Sequence, residues 1–265
     1  RLFPMIAGII SLFLFLKVAQ KFMTRTALPI ALILFAVGEH LIYFSSEVKQ
    51  YSSDVAITLL LILITFNILN KKFNSNYIIL FGFIGAISFW LSNPAVFTFG
   101  AAALVLLLSI VQKKEWGDLI WLLIAGIIAL VSFSVNYLIS LQVLGTNKEL
   151  LDAFQHSFMP LLPDSFADLK WFGYCFLRIF KNPLGLSIYE LLLAVLSFFV
   201  GCTVMFYKQR KVLLILILPI ILTLIASGLK KYPFEGRLLL FIAPSMFLII
   251  AEGIDFMRIK TAKGS

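Results

Sequence analysis

The sequence predicts an all-α integral membrane protein with about nine transmembrane helices and one long outer loop carrying short amphipathic helices. Three observations predict it. Apolar residues make up 61% of the 265, charged residues only 13%, and the mean hydropathy is +1.02. A soluble globule of this size cannot hide so much apolar surface. The apolar residues fall in continuous runs, not in the short alternating pieces of a membrane β-barrel. The 22 Lys and Arg, which give a net charge of +9, sit in short clusters between those runs, as in multi-span proteins. This pattern excludes a soluble enzyme, a disordered tail and a nucleic-acid partner. Membrane lipid is the surrounding partner.

A helix crossing the hydrocarbon core needs about 20 apolar residues. Nine segments qualify as candidates: Leu2–Val18, Ala27–Phe44, Val55–Leu69, Tyr77–Leu91, Ala95–Val111, Leu119–Leu141, Ile188–Phe206, Val212–Leu229 and Leu238–Phe256. The third and fourth are short, and borrow flanking residues or thin the bilayer. The Ser92-Asn93-Pro94 link reads as a sharp turn, with Pro tolerated near a first helical turn. Residues 1–141 thus form six spans, 142–187 the outer loop and 188–265 three more spans. In the loop, Asn147 to Phe158 can form a short helix. Asp164-Ser165 can cap a second, Phe166 to Phe180, which Asn182-Pro183 ends. Both are rich in aromatic residues and suit a membrane surface. The two cysteines, Cys175 and Cys202, are too few for a disulfide framework, and Cys202 reads as a packing residue.

Orientation follows from the cations. One set of connections holds thirteen: Lys17, Lys21, Arg25, Lys71, Lys72, Lys113, Lys114, Lys208, Arg210, Lys211, Arg258, Lys260 and Lys263. The opposite short segments hold five: Arg1, Lys49, Lys230, Lys231 and Arg237. The first set therefore faces the cytoplasm. The chain starts outside and ends inside, in what reads as a prokaryotic cytoplasmic membrane. Glu47, Asp54, Glu149, Asp152, Asp164, Asp168, Glu190 and Glu235 fall outside with the long loop, so function on loops is expected there.

Two clusters stand out on that side. The first is Ser45 to Asp54. If helical, it places Glu47, Tyr51 and Asp54 on one face at i, i+4 and i+7, with Lys49 pointing elsewhere. The plain alternative is a polar hairpin tip that anchors the interface. The second is Lys230 to Arg237. Its cations run against the positive-inside bias, and Arg and Lys both suit phosphate. The plain alternative is snorkelling side chains at helix ends. Glu39-His40 offers a lesser polar pair, His156 an interfacial residue and Asn136 a helix–helix contact. No His/Cys/Asp spacing marks a zinc site.

The segment from Arg1 through Gly8 and Lys17 to Ser-Glu-Val-Lys-Gln-Tyr-Ser-Ser-Asp resembles spans two to four of the polytopic GT-C glycosyltransferases. It is most similar to glycosyltransferase family 39, which includes protein mannosyltransferases and aminoarabinose transferases. The shared motifs are an outer Glu-x-Lys-x-Tyr, here Glu47, Lys49 and Tyr51, and a Tyr-Pro…Arg stretch, here Tyr232-Pro233 and Arg237 followed by Pro244. The resemblance covers most of the chain with short motifs. It implies a sugar donor on a polyprenyl phosphate, an acceptor bound at the outer face, and transfer with inversion. It implies an acidic general base in the family's first outer loop, which would fall before Arg1, so that the expectation is either an N-terminally truncated piece or a member without that loop. Within the chain the candidate carboxylates are Glu47 and Asp54. Substrate binding falls to Glu47, Lys49, Tyr51, Lys231, Tyr232 and Arg237. No cofactor is implied, and a divalent metal stays open. The acceptor is a protein, lipid, polysaccharide or the carrier. The competing readings are a transporter or lipid flippase and a non-catalytic assembly subunit. The scarcity of ionisable groups in the spans argues against transport.

Overall fold

The computed structural model describes residues 2–70, 74–141, 152, 154–161 and 163–262, and among them every regular element is helical. Eleven α-helices follow one another: α1 (Leu2–Ala19), α2 (Ala27–Ala36), α3 (Glu39–Ser46), α4 (Tyr51–Asn70), α5 (Ser75–Leu91), α6 (Ala95–Lys113), α7 (Trp116–Asn136), α8 (Phe166–Lys181), α9 (Ile188–Lys208), α10 (Arg210–Gly228) and α11 (Ala243–Ala262). A π turn, Tyr137–Leu141, extends α7, and a 3₁₀ segment, Gly236–Ile242, leads into α11.

Among the described residues seven helical segments are long and apolar enough to cross a membrane, and eight if the bent pair α2–α3 counts as one span. Two of the nine sequence-predicted spans therefore differ from a simple crossing. The predicted Ala27–Phe44 helix breaks at Val37-Gly38 and bends by 44°. Gly is a poor helix former, and the break starts a new helix at Glu39. The predicted Tyr77–Leu91 span is α5, a helix of only 17 residues. The predicted outer-loop helix over Asn147–Phe158 lies largely outside the described residues. Its described part holds Asp152, which is helical, and a 3₁₀ turn, Gln155–Ser157.

The helix ends sort into two groups. Ser53 Oγ reaches Leu91 O at 3.5 Å and Asn136 Nδ2 donates to Phe89 O at 3.0 Å, so α4 starts where α5 and α7 end. At the other end Thr24 and Thr26 donate to Asp255 near the close of α11. Lys17, Lys21, Arg25, Lys113, Lys114, Lys208, Arg210, Lys211, Arg258 and Lys260 all fall at that second end. The remaining members of the basic set, Lys71, Lys72 and Lys263, lie outside the described residues.

The last span forms the centre. Every residue from Ala243 to Gly253 is buried. A methyl group on Gly201 would collide with the carbonyl of Ile249, and one on Gly253 with the carbonyl of Ser197. Small residues let α9 and α11 touch backbone to backbone, which is how helices pack where lipid supplies no hydrophobic drive. On the periphery, α7 leaves Ile120, Leu123, Ile127, Leu130 and Val131 exposed. Such a face needs lipid around it.

Candidate functional site

The amphipathic helix α8 is the first element of the site. Ser165 caps it by accepting from Asp168 N, while the Asp168 carboxylate accepts from Ser165 N at 3.0 Å. This reciprocal cap satisfies donors that the helix itself cannot. The Ser165 contacts hold the Asp168 carboxyl below the usual range. Cys175, Ile179 and Phe180 face the core, and burial pushes the Cys175 thiol up to about 11. Arg178, one turn beyond Cys175, reaches the bundle end where α4 begins.

There a cavity of about 570 Å³ opens between α3, the start of α4, the end of α8 and the loop before α11. From α3 and the residues after it come Glu39, His40, Tyr43, Glu47 and Lys49. Tyr51 comes from the first turn of α4, Arg178 and Asn182 from the end of α8, and Glu235, Gly236 and Arg237 from the last loop. Three carboxylates and three cations thus line one concavity.

The charges are not evenly paired. Arg178 forms an ion pair with Glu235, whose other carboxylate oxygen accepts from Ser157 Oγ. Phe234 N donates to Ser157 O at 2.9 Å and Met159 N to Ser227 Oγ at 2.9 Å, which ties the 3₁₀ turn to the last loop. Arg237 is exposed, and its guanidinium carbon stands 5.9 Å from the Tyr51 ring centroid. Neither Arg237 nor Lys49 has an ion-pair partner among the described residues. Two cations on the cavity wall are therefore free to take an anion. His40 adds a buried ring nitrogen, Nδ1, without a partner among the described residues.

The structure unites part of each predicted cluster and corrects the rest. Glu47, Lys49 and Tyr51 meet Arg237 in the cavity. Glu47, Tyr51 and Asp54 do not lie on one helix, as the i, i+4, i+7 reading required, and Lys49 lines the same cavity as Glu47 and Tyr51 instead of pointing elsewhere. α3 ends at Ser46, Glu47 is extended (φ −80°, ψ 144°), and α4 begins at Tyr51. Ser52 Oγ closes this corner by donating to Phe44 O at 3.0 Å. Asp54, one turn further on, is buried, and it does not line the cavity. Lys231 is exposed and also lies off the lining. Tyr232 turns its hydroxyl inward to donate to Leu238 O at 2.8 Å, and its ring packs edge-on against Phe97. Burial holds its hydroxyl well above the usual tyrosine range. It braces the loop that carries Arg237 and keeps its proton.

Sequence reasoning set Glu39 and His40 aside and missed Arg178, Asn182 and Glu235. The available signal was Arg178 itself, a cation among Tyr174, Cys175 and Leu177 on a helix otherwise apolar there. Among the described residues no group of three His, Cys, Asp or Glu is arranged to hold a metal ion. Compared with protein-family models, with curated proteins and with solved structures, the chain finds no match.

Proposed function

We propose that this chain belongs to a membrane glycosyltransferase that moves a sugar from a polyprenyl phosphate to an acceptor hydroxyl at the outer face. The observation that carries the reading is the meeting of Glu47, Lys49 and Tyr51 with Arg237, far away in the sequence, around one cavity at a helix-end surface. Unpaired cations there suit a phosphate, and a neighbouring carboxylate suits a hydroxyl proton. In the reaction the acceptor oxygen bonds to the anomeric carbon. The bond from that carbon to the carrier phosphate breaks, and the phosphate oxygen keeps the electron pair. The acceptor proton passes to a carboxylate. Of the two predicted within the chain, Glu47 has access to the cavity and Asp54 does not. Arg237 and Lys49 stabilise the charge that grows on the phosphate, an effect strongest where water is scarce.

The cation distribution supports an orientation in which the cavity faces outward across a prokaryotic cytoplasmic membrane. The basic helix ends gather opposite it, as the positive-inside bias requires of a cytoplasmic side. The test uses the full-length protein in membranes, supplied with polyprenyl phosphates bearing different hexoses. Release of free polyprenyl phosphate is measured, because that product is common to every sugar. Release that depends on the protein and falls in Glu47→Gln and Lys49→Ala supports the reading. No release with any donor, or unchanged release in both variants, overturns it.

A further inference from the structure

The bundle keeps one carboxylate that neither the cavity nor an ion pair among the described residues uses. Asp54 lies in the first turn of α4 and is only 5% exposed. No ion pair among the described residues reaches it. Its Oδ1 has no hydrogen-bond partner among them either. A buried carboxylate without a counter-charge is strongly unfavourable, so one inside a membrane bundle calls for a partner.

What surrounds Asp54 is rich in acceptors and poor in positive charge. Ser92, which ends α5, brings its hydroxyl to the carboxylate. Ser92 is 1% exposed, and its Oγ also lacks a hydrogen-bond partner among the described residues. Leu91 O, the last carbonyl of α5, lies against the same turn of α4, 3.5 Å from Ser53 Oγ. One turn along α4, Thr58 is engaged with Thr98 of α6, their hydroxyls 3.3 Å apart. The phenols of Tyr51 and Tyr232 both feel the Asp54 charge, and a phenol carries negative charge or none. Arg237 stands over the Tyr51 ring and lines the cavity, which Asp54 does not.

We propose that Asp54, Ser92 Oγ and the carbonyl end of α5 hold a small monovalent cation of the sodium class. The candidate ligands are all oxygen, and helix C-terminal carbonyls are a recurrent seat for sodium inside membrane bundles. Leu91 O keeps a second lone pair beside its contact with Ser53. One carboxylate balances one positive charge, whereas a divalent ion would leave a net charge buried. A proton on Asp54 would satisfy a single acceptor, and an ion satisfies several at once. The bound ion ties the first turn of α4 to the end of α5, next to Tyr51 on the cavity wall. It would be held there whatever the cavity binds.

The experiment follows thermal unfolding of the full-length protein in lipid nanodiscs, in sodium, potassium or choline chloride at equal ionic strength. Sodium or potassium at roughly ten times its dissociation constant should raise the melting temperature by about 3–6 °C over choline. The gain should saturate with concentration. Asp54→Asn keeps the size and removes the charge, so the gain should vanish. In choline that variant should melt no lower than wild type, because a buried unpaired charge is gone. Ser92→Ala keeps the carboxylate and removes one ligand, so the midpoint of the cation titration should rise about tenfold. This second variant decides the matter should Asp54→Asn fold poorly. Equal melting in all three salts, a gain that only magnesium produces, or a gain unchanged in both variants would overturn the site. Wild-type melting that ignores sodium and potassium but rises as the pH falls would replace the ion with a proton.

Discussion

The two ends of the helix bundle use the same residue types to opposite effect. At one end Asp255 is buried and fully engaged. It accepts from Thr24 and Thr26 at 2.9 and 3.0 Å and from Arg258 at 3.0 Å, which pins the α1–α2 connection to the last span. At the other end Glu47, Lys49 and Arg237 stand around a cavity, with Arg237 and Lys49 outside any ion pair among the described residues. A charge with all its partners inside the fold can only hold structure. A charge left facing a concavity can meet something that is not the protein. Under the proposed function one end serves stability and the other chemistry, and that distinction can be broken at either end.

The largest expected effect is all-or-none. Single cysteines at Ser75 and Ser165 lie at opposite ends, because Ser75 starts α5 and Ser165 caps α8. In a Cys-free background an impermeant thiol reagent should label Ser165→Cys from outside and leave Ser75→Cys untouched. Equal labelling would put the cavity on the wrong side for the proposed donor.

Next comes Arg237→Lys. Lysine keeps the charge but cannot reproduce the planar fork. If the contact strengthens as phosphate leaves, single-turnover transfer should fall by about 30- to 1000-fold, or about 2–4 kcal/mol. Donor binding should change less. Wild-type values for both would return Arg237 to a snorkelling role. The melting temperature should stay put, since Arg237 is exposed.

Asp255→Asn is the mirror experiment. Removing the charge weakens three hydrogen bonds in a buried setting, at a cost of about 1–3 kcal/mol. A lowered melting temperature with unchanged turnover per folded molecule is expected. Normal stability with lost turnover would dissolve the distinction between the ends. The smallest effect belongs to the α8 cap. Ser165→Ala should lower thermal stability slightly. The Asp168 half of that cap carries a depressed carboxyl pKa, so its contribution is present above the ordinary Asp range and fades as pH falls through the lowered value. The gap between the melting curves of wild type and Ser165→Ala should narrow from neutral to acidic pH, leaving the part due to Ser165 Oγ accepting from Asp168 N. A gap of unchanged size at low pH would mean the cap does not depend on the carboxylate.

Much of the fold is legible because a membrane imposes a simple rule. Backbone groups in hydrocarbon must pair within the segment, so long apolar runs must be helices. Each of the nine predicted segments contains a helix. The bend at Gly38 was not legible, since the run Ala27–Phe44 stays apolar across it until Glu39. At the site, Glu47, Lys49 and Tyr51 stood out as polar residues between apolar runs. Their arrangement did not, because it turns on α3 stopping at Ser46 and the chain extending before α4.

Arg178 shows the limit most clearly. By position it is one cation in a long connection, where charge counting carries little weight. Only packing brings it to Glu235 and onto the cavity wall. The sequence by itself determined where the apolar helices lie and the gathering of cations at alternate ends, because hydropathy and charge act locally along the chain. The tertiary structure decided which of the polar residues meet. Such contacts join side chains far apart in sequence, and they follow from how helices cross, as where Gly201 and Gly253 let α9 and α11 close on each other.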